Sequence, residues 1–394
     1  MGDERNRLRF VVLGANTPWV YALAEALAHE HSTTAIRVFD WRTYYRNKVT
    51  WPGRQAPNGL ARQTWLYPPG FLGGFYNVFS RIMGRRLKRA LAKAAGEAPH
   101  RTWLIAPYPW LAPPQIPVDF PNLVYYNLDD YAIYRLERAA ETRRQEARTI
   151  ERARLVICLA LQQVRRFQSR AGARPEAIRH FPLGVTAELL APLDGVRVEA
   201  DTIAYVGNLG DRVDWQLVAE VARSLPEVQF SFAGDLEDVT GSGNRQDWLH
   251  WRSTAFRLPN VHHQPQVPQE QVGEFYWSAA LNWIPYDVEH PFNIASCPTK
   301  IMDGLASGRP LLSTAVAECL LYPEHIAVFR SAVEAKALIG QHLALSGRGG
   351  WTKRQANQLA FARRHLWRER AAALTRCLQS LPDNQNAHLL AAAR

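Results

Sequence analysis

Between Trp41 and Lys93 the sequence contains neither aspartate nor glutamate. Elsewhere acids and bases are mixed, so the net charge of +11 is concentrated in the first half of the chain. Cysteine is scarce as well. The four residues, Cys158, Cys297, Cys319 and Cys377, stand far apart. Such spacing excludes a disulfide framework and any zinc site of the short-spaced kind, and it reads as reduced thiols in a cytoplasmic protein. No apolar run reaches the roughly 18 residues needed to cross a bilayer. The N-terminal segment MGDERNRLRFVVLG lacks a signal-peptide core, and Asn6 stands where a myristoylation signal has Ser or Thr. No histidine occurs before His29, so the end of the first strand offers no imidazole base.

What is present is an alternation of short apolar runs and amphipathic stretches over 394 residues, a length that favours two domains. Residues 8–14, 34–41, 102–107, 122–127 and 154–160 read as buried parallel strands, and 178–181 as a further edge strand. Helices are expected at about 19–29, 76–95 and 135–152. The pattern restarts after a Pro/Gly-punctuated link near 185–200. Strands follow at 202–207, 228–234, 281–286 and 310–314, with helices opening near Asp214 and over 269–279, 299–307 and 333–345. No period of 20–50 residues appears, which excludes a solenoid. The expected fold is α/β, two Rossmann-like domains facing a central cleft: 1–190, 200–360, and a C-terminal crossing helix at 361–381.

Three constellations carry chemistry. The strand ending at Gly207 feeds the turn Asn208-Leu-Gly-Asp-Arg212. An arginine beside a helix N-terminus at a strand's carboxyl end can fork onto a diphosphate. The segment CPTKIMDGLASGRPLLST, 297–314, places Thr299, Lys300 and Asp303 on one turn of helix. A cation on a first turn is unfavourable unless an anion binds nearby, and a carboxylate one turn on can accept two hydrogen bonds from a cis-diol. Finally, Asp129 and Asp130 follow the strand LVYYN directly. They are either a general base with its neighbour or a turn pair, Asp130 capping a helix or pairing with an arginine.

The second half resembles the donor domain of GT-B glycosyltransferases of the family 1 or 4 branch. The similar pieces occur in order: IAYVGNLGDRVDWQLV, VQFSFAGD, LPNVHHQPQVPQEQVGEFYWSAALNWIPY and PTKIMDGLASGRPLLST. The last is similar to the signature Pro-x-Lys-x-x-Glu-Tyr-x-Ala-x-Gly-x-Pro-Val-Val. The resemblance covers about 200–320 and continues loosely into Phe361–Leu378. In the first half, LVYYNLDDY resembles a Tyr-Asp-x-x-Asp-Asp-Tyr segment, with Tyr126 in place of the first Asp. The resemblance implies that Gly207, Arg212, Thr299 and Lys300 serve the nucleotide diphosphate and that Asp303, where the family has Glu, holds the ribose. Retaining members carry a second acid where this chain has Ala295, so inversion is expected. Asp129 is then the first choice of base and Asp130 the second. The turn Gly14-Ala-Asn16-Thr17 is expected near the acceptor.

The implied reaction moves a sugar from a nucleotide diphosphate sugar to a lipid-linked saccharide in bacterial surface polysaccharide assembly. No metal and no cofactor are expected. A sugar-nucleotide epimerase and a non-catalytic glycan- or nucleotide-binding relative are the alternatives. The Trp41–Lys93 interval holds eleven Lys/Arg and ten aromatics. It reads as a surface for anionic membrane, with Arg81, Arg85, Arg86, Lys88 and Arg89 as its helical piece, or else as a solvated basic face. No nucleic-acid module is recognisable. The expected location is cytoplasmic, peripheral on the inner face of the plasma membrane.

Overall fold

The computed structural model describes residues 7–51, 56, 58–69, 76–96, 99–111, 122–170, 172, 174–190, 197–237, 247–346 and 353–382. Two parallel sheets organise it. The first contains β1 (Arg9–Leu13), β2 (Ser32–Asp40), β3 (Leu60–Tyr67), β4 (Thr102–Ala106), β5 (Leu123–Asn127), β6 (Leu155–Cys158) and β7 (Ile178–His180), in the order β3-β2-β1-β4-β5-β6-β7. The second contains β8 (Glu199–Val206), β9 (Gln229–Ala233), β10 (Val261–Gln264), β11 (Ala279–Ile284), β12 (Leu311–Thr314) and β13 (Ile326–Phe329), in the order β10-β9-β8-β11-β12-β13. Each order reverses beside its first strand. At such a switch point the connecting loops diverge and leave a crevice beyond the strands' carboxyl ends.

The strands form because both faces of each are covered. Phe10 and Val12 point into one apolar cluster, Val11 and Leu13 into the other, the two-residue period of a strand buried on both sides. Helix Tyr76–Ala95 closes the second cluster. Its Phe79, Met83, Leu87 and Leu91 recur every four residues, all at most 6% exposed. Each contributes roughly 1.5–3 kcal/mol of burial as an upper estimate.

β3 was not expected from the sequence. It is an edge strand in which only Leu60 and Trp65 are buried, so it has little of the apolar signal that marks its neighbours. The charged helix begins at Ala139, not 135, because Tyr131–Arg135 forms a loop instead. At the C-terminus one crossing helix was expected and two occur, Lys353–Arg364 and Trp367–Gln379. Between them, His365 O accepts from Val185 N (2.7 Å), and Trp367 N donates to Val185 O (3.1 Å). The second helix packs on Pro18–Ala28 of the first half, with His31 Nε2 3.0 Å from Thr375 Oγ1. The chain therefore passes between the two sheets at 181–190 and again at 365–367, and the two crossings are hydrogen-bonded together.

Candidate active site

Two adjoining cavities lie between the sheets, of about 400 and 950 Å³. Trp19, Leu183, Thr299 and Lys300 border both. Every strand end around the switch points contributes: Thr17 and Trp19 after β1, Tyr108 after β4, Asp129 after β5, Gly207 after β8 and Tyr286 after β11.

The smaller cavity is built around Lys300. Gly207 ends β8 with φ 142°, and a Cβ there would lie 2.4 Å from Lys300 Nζ. Gly234 ends β9 with φ 151°, and a Cβ there would lie 1.9 Å from Gly207 O. Two glycines thus let the strand ends close together and leave space for the ammonium group. Lys300 itself is 8% exposed and sits 5.0 Å over Tyr205 and 5.3 Å over Tyr286. Burial alone would raise the Tyr286 phenol, but Lys300 and Arg212 outweigh it and pull its pKa below the ordinary value. Both cations therefore act on one buried phenol at the edge of the cavity, where they favour negative charge. Asp303 lines the same cavity, and no described residue donates a hydrogen bond to its carboxylate. Burial pushes that carboxyl up to about 7, with Lys300 pulling the other way.

Arg212 borders the larger cavity. Its Nε donates to Asn293 Oδ1 (2.9 Å) and its Nη2 to Ser296 Oγ (3.0 Å), while its guanidinium lies 5.1 Å over Tyr286. The short helix Pro291–Ala295 supplies these anchors. Asn293 Nδ2 donates in turn to Arg212 O and Asp287 O, both 2.8 Å. Asn293, Ser296 and Tyr286 were not singled out in the sequence. The cue available was WIPY followed by the short apolar helix.

Asp129 faces Arg212 from the first sheet. Its Oδ1 accepts from Asp130 N (2.9 Å) and its Oδ2 from the Tyr134 hydroxyl (2.8 Å). Burial raises its pKa above the ordinary carboxylate value; the Tyr134 hydrogen bond and the Arg212 charge act against that. Asp130, the second candidate base, lines neither cavity. It is buried and paired with Arg143 at 2.8 Å, and its Oδ1 accepts from Ala132 N (3.2 Å). The turn and ion-pair role open to it in the sequence is the one it fills.

Gly14 and Asn16 also lie outside the lining of both cavities. Gly14 has φ 78°, and a Cβ there would lie 2.9 Å from the Tyr108 ring. Asn16 spends its side chain on β2, donating to Val38 O (2.7 Å) and accepting from Val38 N (3.1 Å). The residues just after them, Thr17 and Trp19, are the ones that reach the cavity. Arg81, Arg85, Arg86, Lys88 and Arg89 are all exposed on the outer face of helix Tyr76–Ala95 and line neither cavity. Val78 and Ile82 are exposed beside them, and Trp41 and Tyr45 on helix Trp41–Arg46. Among the described residues no helix is long and apolar enough to cross a membrane.

The fold has known counterparts. Sucrose-phosphate synthase from Thermosynechococcus elongatus superposes with a TM-score of 0.67 at 16% identity, over 98% of this chain and all of that one. HepE of Anabaena, solved with UDP and glucose, gives 0.61 at 15% identity, over 95% of this chain and all of that one. The fold is GT-B. Residues 212–376 match the family described as glycosyl transferase-like. TuaH of Bacillus subtilis (strain 168), named as a teichuronic acid biosynthesis glycosyltransferase, is 24% identical over 176 residues. That match spans 43% of this chain and 42% of TuaH.

Proposed function

We propose that this chain is an inverting, metal-independent glycosyltransferase that moves a glycosyl group from a nucleotide diphosphate sugar to a hydroxyl of a saccharide acceptor. One observation carries the reading: Asp129 and the pair Arg212 and Lys300 border one cavity from opposite sheets. Asp129 Oδ2 takes the proton of the acceptor hydroxyl as its oxygen attacks the anomeric carbon. The bond from that carbon to the diphosphate oxygen breaks on the far side, and Arg212 and Lys300 hold the charge that develops there. Asp303 accepts from the ribose diol. Ala295 offers no second acid, and its carbonyl accepts from Gln163 Nε2 at 3.0 Å.

The name of TuaH supports a surface polysaccharide as the setting, and the basic, aromatic outer surface of the first half supports a lipid-linked acceptor. The protein then works from the cytoplasmic side of the membrane. The test is a panel of UDP-, GDP- and dTDP-sugars, read by thermal shift and by product NMR. Asp129→Asn leaves nucleotide affinity unchanged and lowers turnover roughly 10²–10⁴-fold, with an inverted anomeric centre in the wild-type product. Asp130→Asn lowers stability by about 1–3 kcal/mol and spares turnover of the folded fraction. A retained configuration or full activity of the Asp129 variant overturns the mechanism. An epimerised donor without acceptor overturns the transferase.

A further inference from the structure

A chain of side chains joins the loop of Asp129 to the anchors of Arg212, outside both cavities. Asn127 ends β5, and its Nδ2 donates to Asp129 O (2.9 Å) and to the Tyr125 hydroxyl (3.2 Å). Tyr125 donates onward to Glu146 Oε1 (3.3 Å), on helix Ala139–Arg152. Arg166 meets the same carboxyl group, its Nη2 donating to Oε1 (3.2 Å) and its Nη1 standing 3.0 Å from Oε2. Arg166 Nε donates to Gln163 Oε1 (2.8 Å), one turn back on helix Leu161–Gln168. Gln163 Nε2 then crosses to the second half and donates to Ala295 O (3.0 Å). Ala295 ends the short helix whose Asn293, with Ser296 just after it, holds Arg212. Tyr125, Asn127, Glu146 and Gln163 are each at most 1% exposed, and none lines either cavity. Helix Leu161–Gln168 is fixed to the second half at its start as well. It has no side-chain cap of its own; Glu318 Oε2 accepts from Leu161 N (2.9 Å), and Glu318 Oε1 lies 2.7 Å from His180 Nε2.

We infer that Gln163 is a positioning residue for the transfer: it ties the helix that anchors Arg212 to the network behind Asp129, and so sets the spacing of base and diphosphate across the cleft. This role rests on the transferase reading above and adds a residue that touches neither substrate. The reaction needs base and leaving group on opposite sides of one anomeric carbon. A misplacement of about 1 Å by a distant substitution costs on the order of 10²-fold in rate. Every link in the chain is a buried polar group, and leaving such a group unpaired is costly, so the network resists any arrangement that separates its members. Arg212 keeps its bonds to Asn293 and Ser296 whatever stands at 163. Loss of Gln163 therefore shifts the donor's anchors relative to Asp129 while leaving the donor's own contacts in place.

Two substitutions in the full chain test this. Gln163→Met removes both bonds at similar volume. Gln163→Glu keeps an acceptor for Arg166 and removes the donor to Ala295. Turnover is read with the UDP-, GDP- and dTDP-sugars, with octyl β-glucoside or water as acceptor. Both variants should lose kcat about 10²-fold, with donor KM and nucleotide affinity within twofold of wild type. The second readout is the distance between nitroxide labels at Leu136→Cys and Val288→Cys, exposed positions on the two halves, with Cys377→Ser and nucleotide bound. One narrow distance with Gln163 should broaden in both variants. Wild-type kcat in Gln163→Glu overturns the inference, because the bond across the cleft is then dispensable. A raised donor KM at unchanged kcat overturns it too, making Gln163 a support of donor binding, and so does an unaltered label distance. If the wild type consumes none of the nucleotide sugars, the transferase reading itself falls and takes this role with it.

Discussion

Tyr134 donates its hydroxyl to Asp129 Oδ2 at 2.8 Å, and its ring stands edge-on to Phe292 of the other half, 4.8 Å away. One side chain thus touches the proposed base and the opposite wall of the cleft. The groups facing Asp129 are Tyr134, Tyr131 and Asp130 on its own segment, with Arg212 and Cys297 across the cavity. A hydrogen bond to a carboxylate favours its charged form, which is the form a base needs. Removing it leaves burial less opposed, so the pKa rises further. Tyr134→Phe should therefore move the acid limb of the kcat/KM profile to higher pH and leave nucleotide affinity alone. A limb that stays in place means Asp129 is not the group titrating.

Asp303 gives a second pH signature. Its carboxyl, raised from 3.8 to about 7 by burial, costs folding free energy when it ionises. The sign follows directly: with the folded pKa above the unfolded one, this group's contribution is full at low pH and is lost as pH rises toward about 7. Asp303→Asn should flatten the fall in thermal stability of the unliganded protein across that window. A ribose diol donating to the carboxylate would hold it ionised. Nucleotide binding near neutral pH should then release a proton in the wild type and none in Asp303→Asn, measured by calorimetry in buffers of different ionisation enthalpy. Equal proton release in both removes Asp303 from the ribose.

The features that were legible in the sequence are those that local pattern determines. Helix Tyr76–Ala95 has the expected bounds because four apolar residues repeat every fourth position and no proline interrupts them, Gly84 being tolerated within the pattern. Asp214 reads as a helix start, and its side chain does accept from Leu217 N at 3.0 Å. Lys300 and Asp303, which line the smaller cavity, stood out because polar residues on a buried first turn are anomalous wherever the helix sits. The chain of side chains from Asp129 to Ala295 was not legible. Asn127, Glu146 and Gln163 come from three different elements, and nothing in the local pattern of a buried polar residue discloses its partner. Tyr134 was missed for the same reason, since its partner is set by the loop's path from Tyr131 to Arg135. Asn16 failed the other way. It stands beside a glycine turn, but whether an amide faces ligand or the next strand depends on register, and here Val38 takes both ends of it.

Gly207 tests whether the space around Lys300 matters. Gly207→Ala puts a methyl 2.4 Å from Nζ and strains a backbone at φ 142°. The ammonium can swing away, so the steric clash is cheap for folding; the backbone costs about 1–3 kcal/mol. Displacing the cation should weaken nucleotide diphosphate binding by more than that loss of stability explains. Gly340→Ala is the control. It lies in helix Ala332–Ser346 with nothing within 4 Å, and should stabilise by roughly 0.5–1 kcal/mol without touching affinity. Nucleotide affinity equal in the two variants rules out Lys300 as a diphosphate contact.

The outer surface of the first half carries the remaining expectation. Helix Tyr76–Ala95 turns Arg81, Arg85, Arg86, Lys88 and Arg89 outward, with Val78 60% and Ile82 46% exposed among them. Helix Trp41–Arg46 exposes Trp41 and Tyr45 beside Arg42 and Arg46. The headgroup layer of a bilayer takes both kinds of group, the cations and the apolar side chains beside them. Two forces should then add. Coulomb attraction to anionic lipid contributes about 1 kcal/mol per cation near the surface and is screened over about 10 Å at 0.1 M salt. Insertion of Trp41, Tyr45, Val78 and Ile82 is insensitive to salt. Co-sedimentation with phosphatidylglycerol vesicles should fall as salt rises but not vanish. Arg85, Arg86, Lys88 and Arg89 changed together to Gln should remove the salt-dependent part, and Trp41→Ala with Tyr45→Ala the salt-resistant part. Both variants should bind nucleotide as the wild type does. A wild-type protein that stays in the supernatant at low salt makes this face a solvated one, and a lipid-linked acceptor would then have to reach the cleft without help from it.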